Sequence, residues 1–281
     1  MINLDTIYLR GIVEAALEED TGYGDITSAI TISEDSESEA IVVAKQEGIV
    51  AGQIVACDVF YYAGGVTYED EVSDGTRVCR GDRIGGISGG TRSVLAGERV
   101  ALNFLQHMSG IATLTNKYVQ LVSHTKAKII DTRKTTPGLR RLEKYAVTVG
   151  GGFNHRFNLS DGILIKDNHI AAAGGVTAAV TAAKRGAPHL LKIECEVTNL
   201  DELSEAIAAG ADAVLLDNMP LDMLKQAVEL VAGRVITEAS GGINEGNVGA
   251  VAETGVDLIS VGALTHSAPA LDISLQFVKT E

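Results

Sequence analysis

Between residues 133 and 169 stand nine side chains able to carry positive charge: Arg133, Lys134, Arg140, Arg141, Lys144, His155, Arg156, Lys166 and His169. The chain around them has the opposite sign, with 37 acidic against 23 basic side chains in 281 residues and a formal charge of −14. Cations gathered at one place repel one another, and the cost is recovered only if an anion neutralises them. The ligand they suit is a multiply anionic small molecule. Arg133, Lys134 and Lys166 directly follow apolar runs and point to a ligand. Arg140, Arg141 and Lys144 sit at helical spacing and read as a solvated helix face.

Two glycine turns add a second chemistry. Ala239-Ser-Gly-Gly242 and Val261-Gly-Ala263 follow the last two apolar runs. In α/β barrels the loops after the final strands often hold a phosphate through backbone N–H groups. Gly150-Gly-Gly152 either supplies flexibility or lets the backbone approach a ligand closely. Four carboxylates, Glu194, Glu196, Asp217 and Glu238, are expected to complete the rim. Strand alternation puts Glu194 and Glu196 on one face together with Lys192. Such like charges need balancing by cationic strand ends, by a salt-bridge network with Lys166 and Lys192, or by a divalent metal. All-oxygen ligands suit Mg²⁺ held largely through substrate phosphates. Together these residues suit a sugar phosphate with an anionic leaving group and an acid as co-substrate. No dinucleotide loop, P-loop, Ser-His-Asp order or reactive cysteine pattern is present. Cys57, Cys79 and Cys195 have no metal-ligand spacing and read as buried free thiols.

The elements that must position these residues are legible as short apolar runs ending in polar residues or glycine. Six such runs, at 127–130, 162–165, 190–193, 213–216, 234–237 and 257–261, read as strands. Between the later ones lie helical patterns at 176–185, 200–209, 221–231 and 247–254. Alternating strand and helix implies a parallel sheet with helices outside. Six polar strand ends at one rim favour a barrel, and six repeats instead of eight imply an incomplete one. Residues 1–107 have a different texture, with an acidic helical start at 13–19, alternating segments at 39–45 and 83–87, and hairpin-type turns. They read as a separate α+β domain, with a helix at 94–108 leading into the barrel. The expected domains are 1–107, with the tail 269–281 packing on it, and 108–268.

The acidic balance argues against a nucleic-acid or anionic-membrane partner. The apolar runs fall far short of the ~20 residues that span a bilayer. The opening segment lacks a signal-peptide pattern, so the chain reads as cytoplasmic.

An ordered set of motifs covers nearly the whole chain. It comprises Glu98-Arg-Val-Ala-Leu-Asn-Phe-Leu-Gln106, Ser109-Gly-Ile-Ala-Thr113, Asp131-Thr-Arg-Lys-Thr-Thr-Pro-Gly138 and Gly150-Gly-Gly-Phe-Asn-His-Arg156. Leu164-Ile-Lys-Asp-Asn-His169, Glu194-Cys-Glu-Val197, Leu215-Leu-Asp-Asn218, Ser240-Gly-Gly242 and Val261-Gly-Ala-Leu-Thr-His266 complete it. This set closely resembles the quinolinate phosphoribosyltransferases. A related family, associated with molybdenum transport operons, shares the Thr-Arg-Lys-Thr-Thr-Pro-Gly segment, but Lys166-Asp-Asn-His169 and Asn154-His-Arg156 are closer to the quinolinate enzymes. A third reading is a non-catalytic barrel that binds a phosphorylated metabolite, which would need the cations and glycines but not Glu196 and Asp217.

The resemblance implies an α/β protein of type II phosphoribosyltransferase-like architecture, with a sandwich-like N-terminal α+β domain and an incomplete α/β barrel. It implies transfer of the phosphoribosyl group from 5-phosphoribosyl 1-diphosphate to quinolinate. The products are nicotinate mononucleotide, diphosphate and CO₂, with Mg²⁺ as cofactor, in NAD biosynthesis. It further implies a homodimer in which Arg99 enters the partner's site. Arg99, Arg133, His155 and Arg156 would hold the quinolinate carboxylates, with Thr132 beside them. Lys134 and Lys166 would contact quinolinate or the diphosphate, and Glu196 and Asp217 would face the ribose and the metal. Ser240, Gly241, Gly242, Val261, Gly262 and Ala263 would hold the 5-phosphate. The catalytic set is then Lys134, Lys166, Glu196 and Asp217.

Overall fold

Aliphatic runs bounded by glycine or polar residues become strands, and the stretches between them that repeat their apolar residues every three or four positions become helices. The structure, a computed structural model, describes residues 4–278. In chain order it begins with α1 (Thr6–Thr21), α2 (Ile26–Thr31), β1 (Glu37–Ala44), β2 (Gly48–Ile49), α3 (Gln53–Gly64), β3 (Thr67–Asp70), β4 (Arg77–Val78) and β5 (Arg83–Gly90). Next come α4 (Thr91–Val122), β6 (Lys128–Ile130), α5 (Arg140–Val149), β7 (Ile163–Ile165), α6 (Asp167–Ala173), α7 (Val176–Gly186), β8 (Ile193–Val197) and α8 (Leu200–Ala209). Last are β9 (Ala213–Asp217), α9 (Leu221–Val231), β10 (Ile236–Ser240), α10 (Val248–Ala252), β11 (Leu258–Ser260), α11 (Ala263–His266) and β12 (Ile273–Phe277).

The chain divides into two compact units. One comprises the residues up to Asn116, then Thr136–Gly151 and the segment from Ala268; the other comprises Lys117–Thr135 and Gly152–Ser267. The expected domain boundary at 107/108 thus falls inside α4, and residues 136–151 join the first unit.

The first unit is built on a four-stranded antiparallel sheet ordered β12-β1-β5-β3. The tail strand β12 sets Leu275 opposite Val42 of β1, and β5 sets Gly85 opposite the same residue. Helix α1 buries Leu9, Val13 and Leu17, one residue per turn on a single stripe, and Asp5 caps its start by accepting the Tyr8 N–H at 3.0 Å. Helix α4 runs for 32 residues and continues well past the expected end at 108.

Helix α5 departs from expectation. Residues 140–144 do not form a solvated face, because Glu143 and Lys144 are fully buried. Glu143 accepts the Thr136 N–H at 3.1 Å and lies 3.0 Å from His107 Nε2. Arg141 pairs with Asp5 at 2.7 Å and lies over the Tyr8 ring. Buried charge has to be partnered in this way. The thiols also depart: Cys195 is buried as expected, whereas Cys57 and Cys79 are exposed.

The second unit is a six-stranded parallel sheet ordered β6-β11-β10-β9-β8-β7. Strands β7 to β11 follow one another as in a barrel, and β6 lies against β11. The ring stays open because β6 and β7 do not pair; Phe153 instead bridges to Ile130, donating its N–H to Ile129 and accepting that of Asp131. This is the incomplete barrel the sequence implies. Val214, Leu216 and Ile259 are fully buried. Helices α7, α8 and α9 fall where the periodicity puts them. Two strands start later than their apolar runs: β8 begins at Ile193, since Leu190 lies in an exposed loop after Pro188, and β10 begins at Ile236. No helix among the described residues is long and apolar enough to cross a membrane.

Gly110 shows how tightly the tail is packed. In mid-helix, Gly→Ala ordinarily gains about 1 kcal/mol. A Cβ at Gly110 would lie 2.2 Å from the Pro269 carbonyl oxygen, which is backbone and cannot swing away. The clash outweighs the propensity, so Gly110→Ala is expected to destabilise the fold by about 1–3 kcal/mol in urea unfolding. An unchanged or raised midpoint would show that the tail is not held there.

Candidate active site

Every predicted site residue except Arg99 lies in the second unit, at or just beyond the C-terminal ends of the parallel strands. Thr132, Arg133 and Lys134 follow β6, and His155 and Arg156 follow the Phe153 bridge. Lys166 follows β7, Glu196 lies in β8, Asp217 and Ser240 end β9 and β10, and Val261, Gly262 and Ala263 follow β11. Because strand side chains alternate, Glu194 and Glu196 share a face, as do Asp217 and Leu215, and Ser240 and Glu238. The register ties these faces together: Glu196 pairs with Leu215, Leu215 with Glu238, and Asp217 with Ser240.

Each rim residue is held by its neighbours. Lys166 Nζ lies 2.8 Å from Glu196 Oε2, and the Lys166 N–H donates to His169 Nδ1 at 2.9 Å. Lys134 donates its N–H to Thr132 Oγ1 at 3.0 Å, and its carbonyl accepts the Thr265 hydroxyl at 2.7 Å. Asp217 accepts the Asn218 side-chain amide at 2.8 Å. Arg156 donates from Nη1 to the Gly162 carbonyl at 2.8 Å. Burial and then the charge of Arg133 push the Arg156 pKa down, while Glu194 opposes the shift. Arg133 thus lies close enough for its charge to disfavour the charged form of half-buried Arg156, a repulsion that an anion would offset.

The glycine turn after β10 is required by its geometry. Gly241 has φ +93°, and a Cβ there would fall 2.2 Å from Asn218 Oδ1. Asn218 itself adopts φ +54° and donates its N–H to the Ser240 carbonyl at 2.9 Å. The turns after β9 and β10 thus interlock. Beyond β11, a Cβ on Gly262 would lie 3.1 Å from Lys134 Cδ.

Two residues lie elsewhere than the sequence implies, or carry a role it does not reveal. Glu238 is not on the rim: it is 1% exposed and sits beneath it, with Oε2 3.6 Å from His155 Nε2. Burial, then the charge of Glu194, raises its pKa well above the usual carboxylate range, with the Ser260 hydroxyl and Lys166 opposing. Asp131 is fully buried and accepts the His155 N–H at 2.9 Å and the Asn154 amide at 2.6 Å. Its signal in the sequence was a charged residue directly ending an apolar run. Arg99 is exposed on α4.

The arrangement has close counterparts. The chain matches the family described as quinolinate phosphoribosyl transferase, N-terminal domain, over residues 25–109, and the C-terminal domain of the same family over residues 111–276. The chain belongs to the quinolinate phosphoribosyltransferase family. A probable nicotinate-nucleotide pyrophosphorylase [carboxylating] of Bacillus subtilis is 45% identical, with 97% of this chain and 94% of that one covered. The chloroplastic enzyme of that name from Arabidopsis thaliana is 43% identical over 96% of this chain and 83% of its own. The solved structure of nicotinate-nucleotide pyrophosphorylase from Francisella tularensis matches with a TM-score of 0.95 and 44% identity, covering 99% of this chain and 98% of that one.

The position of Glu238 sets the sign of a pH effect. A carboxyl whose folded pKa is raised contributes stability that is full below its unfolded value, about 4.3, and is lost as pH rises through the folded value. Glu238→Gln removes that loss, while His155, Glu194, Lys166 and Ser260 around it stay the same. The variant is expected to gain stability relative to the parent as urea midpoints are measured from pH 5 to pH 8. A pH-independent difference would contradict the assignment.

Proposed function

We infer that the chain catalyses its family's reaction, joining quinolinate to the phosphoribosyl group of 5-phosphoribosyl 1-diphosphate with loss of CO₂, as a cytoplasmic homodimer. The observation that carries this reading is that Arg133 and Arg156 lie close enough to repel each other, in the same unit as the rim pair Lys166–Glu196. Arginine forks match planar carboxylates, which is what a pyridine dicarboxylate presents.

The chemistry asks for positioning and charge neutralisation more than for a nucleophilic side chain. Diphosphate leaves the anomeric carbon with oxocarbenium character while the pyridine nitrogen approaches. Lys134 and Lys166 neutralise the departing charge, and Arg133 with Arg156 hold the acid so that its nitrogen points at the sugar. Glu196 and Asp217 face the ribose, where carboxylates stabilise developing positive charge. Lys166 has first to leave Glu196, so substrate binding exchanges one ion pair for another. As the 2-carboxylate leaves as CO₂, the electron pair of the broken C–C bond stays on C2, stabilised by the adjacent pyridinium nitrogen, and a proton from water then forms the C2–H bond of the product. Backbone N–H groups of residues 240–242 and of Gly262 and Ala263 would hold the 5-phosphate; that of Val261, expected to join them, is instead donated to the Ile130 carbonyl at 3.0 Å.

Mg²⁺ belongs to the proposal as cofactor. Glu196 and Asp217 supply a donor set of oxygen alone on one rim, which fits a hard divalent cation that shares its shell with substrate phosphates and water. Once bound, it would neutralise diphosphate charge. The partner subunit's Arg99 would complete the acceptor pocket.

Purified protein given quinolinate, 5-phosphoribosyl 1-diphosphate and Mg²⁺ is expected to release nicotinate mononucleotide and CO₂ in equal amounts, and neither after chelation. Arg133→Ala removes charge-assisted hydrogen bonds of about 3 kcal/mol in total, so kcat/KM should fall on the order of 100-fold. Product without CO₂, or Arg133→Ala with normal kinetics, would contradict the reading. Arg99→Ala should be inactive alone yet regain activity when mixed with an Arg133→Ala protein; if mixing restores nothing, the shared site is wrong.

A further inference from the structure

Glu238 and Glu194 have no part in the reaction just described, yet they meet His155 directly beneath the acceptor pocket. The three side chains bring their ligand-type atoms within 4.8 Å of one another. His155 Nε2 lies 3.1 Å from Glu194 Oε2 and 3.6 Å from Glu238 Oε2. Such a trio can hold either a cation or a proton. The other ring nitrogen decides between them. His155 Nδ1 accepts the Arg156 N–H at 2.7 Å, so it carries no proton, and the ring proton sits on Nε2. Nε2 therefore donates to Glu194, with Glu238 Oε2 packed 3.6 Å away, and has no lone pair to offer a metal.

We propose that Glu238 is a positioning residue for acceptor binding: together with Glu194 it fixes the His155 ring in the Nε2–H tautomer and, through the opposite ring nitrogen, fixes Arg156 at the acceptor pocket. The chain of contacts is continuous. Asp131 accepts the His155 N–H, Glu194 accepts from Nε2 while Glu238 packs against the same edge of the ring at 3.6 Å, Nδ1 accepts the Arg156 N–H, and the Gly162 carbonyl accepts from the Arg156 guanidinium. Burial of Glu238 favours its protonated form, which adds no negative charge beneath Arg133 and Arg156. A cavity of about 330 Å³ reaches the trio from the N-terminal ends of the strands, where Lys128, Lys192, Ala213 and Ile236 line it. Truncating Glu238 would join its volume to this cavity and give the ring room to turn. The proposal rests on the phosphoribosyl-transfer reading for its kinetic consequence, but not for its geometry.

The test uses the whole protein with ¹⁵N-labelled histidine. Long-range ¹H–¹⁵N correlation spectra, with the His155 signals assigned by their loss in His155→Asn, report the tautomer without any substrate. Steady-state assays report KM for quinolinate and for 5-phosphoribosyl 1-diphosphate separately. The parent should show the Nε2–H tautomer. Glu238→Ala should mix the tautomers and raise the quinolinate KM about tenfold or more, with the diphosphate-sugar KM within about twofold of the parent. Glu238→Gln should restore the tautomer and bring the quinolinate KM within about threefold. An Nδ1–H ring in the parent, or Glu238→Ala with an unchanged quinolinate KM, overturns the proposal. If Glu238→Ala does not fold, the parent and Glu238→Gln spectra decide it: loss of the Nε2–H tautomer in either overturns it. If quinolinate is never turned over, the functional reading fails, and the tautomers in the three proteins still decide the geometry.

Discussion

A carboxylate inside a protein needs a cation, hydrogen-bond donors or a proton of its own, and the parallel sheet here carries four on strands β8 to β10. Glu196 meets Lys166, Glu194 meets His155, Asp217 takes the Asn218 amide, and Glu238 is pushed toward its protonated form. These solutions differ in how readily they exchange. The Lys166–Glu196 pair is partly exposed, whereas the His155 trio is more deeply buried and is reached by the cavity at the N-terminal ends of the strands. One face of one sheet therefore holds a reactive upper set and a fixed lower set. The alternation of a β-strand produces both.

The cations complete the picture. The charge of Arg133 opposes that of partly buried Arg156, and an anion would offset the repulsion. Family membership and the glycine turns give that anion an identity: an acid with more than one carboxylate, beside a phosphorylated sugar. The turns do their part through backbone shape, since Gly241 cannot carry a side chain against Asn218. On the proposed reading, a phosphate ester held by backbone amides would leave the charged side chains free for the acid and the leaving group.

Much of this was legible in the sequence because strand ends are written in residue type. Arg133, Lys166, Glu196, Asp217 and Ser240 each stand where an apolar run stops, and each falls at the rim. What was not legible depends on packing between segments far apart in the chain. Lys144 has the spacing of a solvated helix face, but the helix is buried, and no local pattern announces that. Helix α4 runs on past Met108, and at Gly110 the tail packs against it, a contact between segments far apart in the chain. Glu238 reads as one more rim acid, since only its position within β10 separates it from Ser240 two residues on. The late start of β8 at Ile193 moved no site residue, because the alternation from Ile193 to Val197 was still correctly phased.

If the rim recognises an acceptor by two carboxylates held on Arg133 and Arg156, a pyridine dicarboxylate must bind more tightly than the same ring with one carboxylate. The most direct measurement is the equilibrium binding of quinolinate against nicotinate, the same ring with one carboxylate removed, at low and high salt. Quinolinate binding more than about tenfold tighter, with the margin shrinking as salt screens the charges, is the predicted result. Equal affinities at both salt concentrations would contradict it.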